Sequence, residues 1–199
     1  FWAATIPSNT SVFVTGPVTS GEWQRYSQYA VMTSVMARLG ASVDVDHRPR
    51  QWPLAMAEVR AQGPEFLPLT REVAIQGQVK PRALPEPTHV LVSNYPERVK
   101  FAHVLMRDMV EKSEPVRILW HHVNDSGQNL WFGVRLHNLS DEPVHFTWAD
   151  CFAGPNLDEI YVGHVVCRGY FDQLRRGSAV MLSLQPHRWV EFATMKTRP

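Results

Sequence analysis

From Thr88 onward the chain is built from short runs in which apolar and polar residues alternate: THVLVS (88–93), PVRILWHHV (115–123), NLWFGVRLHN (129–138), PVHFTWAD (143–150), SAVMLSLQ (178–185) and HRWVEFAT (187–194). Successive side chains of a strand point to opposite faces, so a period of two specifies strands that are half buried. NDSGQ and NLSDEP place turn chemistry between these runs and predict hairpins. The expected fold is therefore mainly β, an antiparallel β-sandwich over residues 88–199. One stretch breaks the pattern: in YVGHVVCRGYFDQLRR, residues Val162, Val165, Val166, Tyr170 and Leu174 recur at helical spacing.

Residues 1–87 read as a smaller α/β and proline-rich segment that packs on the sandwich. SVFVT (11–15) alternates as a strand. Thr19 and Glu22 then stand at capping-box spacing, each able to satisfy a free backbone N–H at a helix start. Tyr26, Tyr29, Met32, Met36 and Leu39 follow on one helical face, Gly40 supplies a left-handed stop, and ASVDV (41–45) is a second strand. Between His47 and Pro87 prolines fall at 49, 53, 64, 68, 81, 85 and 87, which predicts extended, irregular chain with one strand, EVAIQGQV (72–79). The opening stretch Phe1–Ser11 is expected to be extended and ordered only under a partner or membrane surface, so that removing residues 1–10 would leave the sandwich folded.

Composition narrows the function classes. With 20 basic and 19 acidic residues the net charge is +1, which offers no electrostatic footing for nucleic acid or an anionic membrane. No apolar run is long enough for a transmembrane helix. FWAATIPSNTS fits two readings, a domain boundary or a signal peptide or anchor ahead of Phe1, where Trp2 suits the membrane interface. Two cysteines, Cys151 and Cys167, make neither a disulfide scaffold nor a zinc module; one disulfide and two buried thiols both fit, and an oxidising compartment favours the pair. Sequons stand at Asn9, Asn124 and Asn138.

The adjacent histidines of ILWHHVN invite a metal reading, but in a strand His121 and His122 face opposite sides. His122 goes with Ile118 and Trp120. A metal site would need His122, His137 and His145 to converge from neighbouring strands in register. In NLWFGVRLHN, Leu130, Phe132, Val134 and Leu136 form the core face, with Trp131, Arg135 and His137 on the other. Gly16 and Gly21 have the spacing of a phosphate-binding loop, yet Glu22 and Trp23 stand where Lys and Ser/Thr are needed; a capped helix start is the better reading. No G-x-S-x-G elbow occurs. A thiol–imidazole couple of Cys151 or Cys167 with His164 competes with buried, inert thiols, and the carboxylates Asp150, Asp158 and Glu159 read as solvated turn chemistry.

SNYPE, RILWHHVN, VRLHNLSDEPV and AGPNLDEIYVGH, between about Asn94 and Gly169, together resemble a group of uncharacterised exported bacterial β-sandwich proteins, some joined to copper amine oxidase-like stalk domains. The resemblance covers about half the chain and departs at His164, where that group carries Lys. It implies export and a β-sandwich, and brings no catalytic residues.

The functional expectation is a non-catalytic accessory or structural subunit, periplasmic or on the cell surface, that docks on a larger envelope or membrane assembly and needs no cofactor. Seven Trp, nine Phe, seven Met and nine His supply amphipathic anchors, with Phe1, Trp2, Trp131 and His137 as the expected partner-binding residues. The alternatives are a carbohydrate- or other ligand-binding module using exposed Trp on a sheet face, and a histidine-metal enzyme.

Overall fold

The computed structural model describes residues 1–198. In chain order the elements are β1 (Ala4–Thr5), β2 (Asn9–Val14), α1 (Ser20–Ser34), β3 (Met36–Ala37), β4 (Ser42–Pro49), β5 (Leu54–Gly63), β6 (Phe66–Val79) and β7 (His89–Ser93). They continue as β8 (Arg98–Val99), β9 (Val116–Trp120), β10 (Val123–Asn124), β11 (Leu130–His137), β12 (Val144–Trp148), α2 (Glu159–Arg176), β13 (Val180–Leu184) and β14 (Trp189–Thr197). The chain is mainly β and mostly antiparallel, as the alternation implies.

The centre is a six-stranded sheet ordered β12-β13-β2-β6-β5-β4, in which only β2 and β6 run parallel. Four of its strands precede residue 88 and two follow it, so the expected boundary there cuts through a sheet rather than between domains. α1 lies across one face. Val12, Val14, Val59, Val73, Ile75 and Val180 are buried beneath it, and Trp23, Tyr26 and Val31 come down from the helix. Along β5 the residues turned inward are Ala55, Ala57, Val59 and Ala61. Their small side chains leave room for the Trp23 indole, whose Nε1 donates to the Leu54 carbonyl at 3.1 Å.

The β5–β6 pair corrects the reading of most of residues 47–87 as irregular chain: it is a long antiparallel hairpin of 10- and 14-residue strands that contains the expected strand 72–79, while residues 80–87 carry no strand. Pro64 falls in the turn, and Pro68 lies beside the register shift between Ala61 and Gly63, where a lost ladder donor does least harm. Gly77 completes the arrangement, since a Cβ there would meet the Trp52 ring at 2.4 Å.

α1 starts as expected. The Thr19 N–H donates to Glu22 Oε2 at 2.7 Å and the Glu22 N–H to Thr19 Oγ1 at 3.2 Å. It stops at Ser34, short of the expected face: Met36 sits in β3, paired with Thr5, and Leu39 is 96% exposed. The hydroxyls of Thr33 and Ser34 turn back onto the carbonyls of Tyr29, Ala30 and Val31, and β-branched Val35 follows in extended conformation.

The turns at NDSGQ and NLSDEP do not close hairpins. β9 pairs in parallel with β7, β11 pairs with β14, and β12 pairs with β13. Asn138 supplies the reason at the second turn. Its N–H donates to the Arg188 carbonyl at 2.8 Å and its Nδ2 to the Leu184 carbonyl at 3.1 Å. The β11–β12 and β13–β14 connections are thereby tied side by side, and each carries the chain from one sheet to the other. Phe192 of β14 bridges the two, its ring 4.1 Å from Trp148, 4.9 Å from Tyr29 and 6.0 Å from Phe146.

The opening stretch is part of the core. Ala3, Ala4 and Ile6 are buried and β2 begins at Asn9, so the stretch is ordered within the fold itself, which corrects the expectation that it is ordered only under a partner or membrane surface.

Candidate interaction surface

Several polar groups that could do chemistry are paired with one another inside the fold. The Glu22 carboxylate takes two bonds of 2.8 Å from the Arg176 guanidinium, one to each oxygen, and a third from Gln173 Nε2 at 3.3 Å. Asp150 accepts from Arg25 Nε at 2.9 Å, the Tyr29 hydroxyl at 2.7 Å and Trp148 Nε1 at 3.3 Å. Gln173, the one buried residue of α2, joins the two groups by donating to the Tyr26 hydroxyl at 2.8 Å and the Asp150 carbonyl at 3.2 Å. Burial alone would raise the Glu22 carboxyl, but the bonds from Arg176 and Thr19 outweigh it and hold it below its ordinary value. Burial pushes the Tyr26 phenol upward.

The same clasp disposes of the phosphate-loop spacing. A Cβ at Gly16 would lie 2.2 Å from the Arg176 carbonyl oxygen, so the glycine is there to admit the last turn of α2. Sequence reading assigned Asp150 to a solvated loop and missed its burial and Glu22–Arg176 altogether. A carboxylate at N3 reads as a cap whether or not an arginine 154 positions away also reaches it.

His122 is structural. Its Nδ1 donates to the Pro96 carbonyl at 2.9 Å, which leaves Nε2 to accept from the Ser93 hydroxyl at 2.9 Å. Its ring stacks on Phe132 at 5.9 Å, and Phe132 in turn stacks on Trp120. His121 is exposed, on the other side, as strand alternation requires. The structure does not bring His122, His137 and His145 together: among the described residues no group of three or more His, Cys, Asp or Glu is placed to hold a metal ion.

Of the two arrangements open to Cys151 and Cys167, the structure has free thiols rather than the candidate disulfide, with Cys151 half-buried and Cys167 exposed rather than both buried. Cys151 donates to the Val166 carbonyl at 3.4 Å and fills the space above Gly169, whose Cβ would meet its sulfur at 2.4 Å. Cys167 points outward. Burial raises the Cys151 thiol, only partly offset by Arg25, and His164 is exposed on α2. Asp158 and Glu159 are also exposed, and Asp158 caps α2 by accepting from the Tyr161 N–H at 2.9 Å.

The sequons at Asn124 and Asn138 are twin turns. In each, Asn Oδ1 accepts the N–H and hydroxyl of the serine two residues on, while Nδ2 donates to a carbonyl four residues on, at 2.7 Å to Gln128 and 2.8 Å to Glu142. Asn9 lies in β2.

Two surfaces carry the expected partner-binding residues. On the β11–β14 pair, Trp131, Arg135 and His137 face outward opposite Lys196, Glu191 and Trp189. Trp131 is 66% and Trp189 53% exposed. Arg135 lies 4.3 Å from the Trp189 ring centroid while its Nε donates to Glu191 at 3.1 Å. Phe132 faces inward and is buried, in line with the division read from the sequence for β11, and Val190 and Phe192 of β14 are buried with it. Phe1 and Trp2 border a separate open groove of about 660 Å³, with Met36, Arg38, Leu39 and Arg188 on its walls.

No family model, curated protein or solved structure matches this chain. No helix among the described residues is long and apolar enough to cross a membrane.

Proposed function

We propose that the protein is a non-catalytic, extracytoplasmic accessory subunit that docks on a larger envelope or membrane assembly through the outward face of β11 and β14. One observation carries this reading: Trp131, Trp189, Arg135 and His137 stand exposed on a rigid two-stranded platform anchored by Phe192. Tryptophan and arginine are the residues in which contact energy concentrates. The platform and the six-stranded sheet are read together as the two layers of an open β-sandwich, in keeping with the exported proteins that the stretch from Asn94 to Gly169 resembles. Phe1 and Trp2 form a second, smaller contact.

Docking fits this face better than sugar binding. Trp131 and His137 are six residues apart on β11 and Trp189 pairs with His137, which separates the two indoles by roughly 20 Å along the strand. A stacking platform for one or two sugar rings needs a shorter spacing. With a net charge of +1, attachment rests on apolar and hydrogen-bonded contacts and tolerates moderate salt.

The test is co-purification from native membranes of wild type against a Trp131→Ala/Trp189→Ala variant. Selective loss of a stoichiometric partner, with the fold intact by circular dichroism, is the expected result. Identical recovery of that partner would move the contact away from this face.

A further inference from the structure

We propose that the protein also rests on an anionic lipid surface, through the corner of the fold where the β1–β3 pair, the turn after β3 and Leu67 of β6 meet. The turn is tight: the Ala41 N–H donates to the Arg38 carbonyl at 3.0 Å, and Gly40 takes a φ of +85°. That geometry calls for glycine at position 40 and leaves position 39 free for most residue types. The residue there is leucine, and it is 96% exposed. Met36 and Trp2 line the same groove and are exposed with it. Exposed Leu67 stands beside Trp2, across the bridge that joins the opening stretch to β6. One exposed leucine needs no explanation. Four large apolar side chains at one corner, one of them at the tip of a turn, mark a surface that meets something.

The charges say what it meets. Arg38 and Arg188 stand on the walls of the groove, and no acidic residue stands there with them. Arg38 is exposed and lies 5.3 Å from the Phe1 ring centroid, while Arg188 donates to the Ala37 carbonyl. Neither has a carboxylate partner among the described residues, whereas Arg25, Arg48, Arg60, Arg135, Arg175 and Arg176 all do. The net charge of +1 belongs to the whole chain; this corner carries two cations that nothing neutralises. A second copy docked through the same patch would set these arginines against their symmetry mates. A bilayer accepts the set as it stands. Leu39, Met36 and Leu67 enter the acyl boundary, Trp2 sits at headgroup level, and the arginines reach anionic headgroups. One charge works against it. Glu65 is exposed in the β5–β6 turn, which reaches this corner: a Cβ at Gly63 would lie 3.2 Å from the Gly40 carbonyl oxygen.

Co-sedimentation of the purified protein with vesicles tests this without a protein partner. The vesicles are phosphatidylcholine alone, or phosphatidylcholine with about 40% phosphatidylglycerol. The expected result is partitioning onto the anionic vesicles at least tenfold above the neutral ones, weakening as salt rises. Leu39→Asp should lower it at least tenfold and Arg38→Gln about fivefold, while Glu65→Gln should raise it. Leu39 and Arg38 are exposed, so both variants should keep the wild-type circular dichroism. In a Cys167→Ser background, an environment-sensitive dye on Leu39→Cys should shift to the blue on anionic vesicles, and the same dye on Trp131→Cys should not. Equal binding to both vesicle types, binding indifferent to Leu39→Asp, or a dimer in solution that Leu39→Asp dissolves would each overturn the proposal. Absence of binding to either vesicle would overturn it too and would leave a protein as the occupant. Trp131→Ala/Trp189→Ala should bind vesicles as wild type does, so the outcome is separate from that of docking through Trp131 and Trp189.

Discussion

Arg176, in the last turn of α2, places two guanidinium nitrogens 2.8 Å from the two carboxylate oxygens of Glu22, in the first turn of α1. The two helix ends are thereby clasped by a pair whose side chains are only 16% and 7% exposed. Removing one member strands the other in a site that excludes most water. Glu22→Ala, which also breaks the capping box, should cost about 2–4 kcal/mol of stability in urea unfolding. Arg175→Ala, at an exposed pair with Asp172, should cost less than about 0.5 kcal/mol.

The clasp also sets a pH dependence. Glu22 is held below the ordinary glutamate value of 4.5, with Arg176 and Thr19 overcoming the effect of burial. A carboxyl depressed in the folded state contributes stability that is fully present above the unfolded value and is lost as pH falls through the folded one. Wild type should therefore lose stability below about pH 5 more steeply than Glu22→Gln, whose clasp does not titrate. Parallel curves for the two proteins would show that Glu22 is not the titrating group.

The two thiols should separate kinetically. Thiolate is the reactive form, and burial keeps Cys151 protonated beyond its ordinary range while Cys167 stands in solvent. Natively purified, reduced protein at neutral pH should take up one equivalent of iodoacetamide quickly, at Cys167. Cys151 should follow at least tenfold more slowly, or only on unfolding. Equal rates at both positions in a peptide map would contradict the placement of Cys151 over Gly169.

Local patterns in the sequence located β2, the start of α1, most strands after Thr88, and α2, because alternation, capping and helical spacing are properties of neighbouring residues. Partner choice was not legible. Whether β11 joins β12 or β14 is decided by Asn138 reaching Leu184 across 46 positions, and the sequence marks Asn138 only as a turn former. The alanines of β5 carry little β preference, yet they form an interior strand between β6 and β4, where their small buried side chains leave room for Trp23. Proline density misled for a related reason, since Pro64 and Pro68 occupy a turn and a bulge rather than ladder positions. For the candidate surface, parity within β11 gave Trp131 and His137 correctly. Trp189 was out of reach because its position opposite His137 depends on the β11–β14 pairing.

The twin turns differ in burial, and that difference should be measurable. Asn138 is 5% exposed, and its amide donates to two carbonyls while its oxygen accepts twice from Ser140. Asn138→Ala should destabilise by about 2–3 kcal/mol because buried carbonyls lose their donor. Half-buried Asn124 bonds only within its own turn, and Asn124→Ala should cost about 1 kcal/mol. Asn138→Asp should be at least as damaging as Ala, since it turns a carboxylate oxygen toward the Glu142 and Leu184 carbonyls. Comparable losses at Asn124 and Asn138 in thermal unfolding would mean that the tie to Leu184 contributes nothing.

Removing residues 1–10 should abolish folding, and the reason lies in what those residues hold. Ala3 and Ile6 are fully buried, and burying the isoleucine side chain alone is worth about 2–3 kcal/mol. The Leu67 N–H donates to the Phe1 carbonyl at 2.9 Å, the Ala3 N–H returns to the Leu67 carbonyl at 3.0 Å, and Arg71 reaches the Ile6 carbonyl at 2.7 Å. Asn9 and Thr10 begin the strand that lies between β13 and β6, opposite Ala74 and Ile75. Without them the central ladder of the six-stranded sheet loses two of its six paired positions between β2 and β6. These losses bear on a total of only about 5–15 kcal/mol that typically holds a domain together. The truncated chain should show no cooperative transition and should aggregate. By contrast, Phe1→Ala with Trp2→Ala trims side chains that are 91% and 56% exposed, and should change stability by less than about 1 kcal/mol. That double variant, rather than the deletion, tests Phe1 and Trp2 as contact residues, because it removes the rings and keeps the strand. A truncated protein with wild-type circular dichroism and a sharp melting transition would mean that β2 does not form the centre of the sheet.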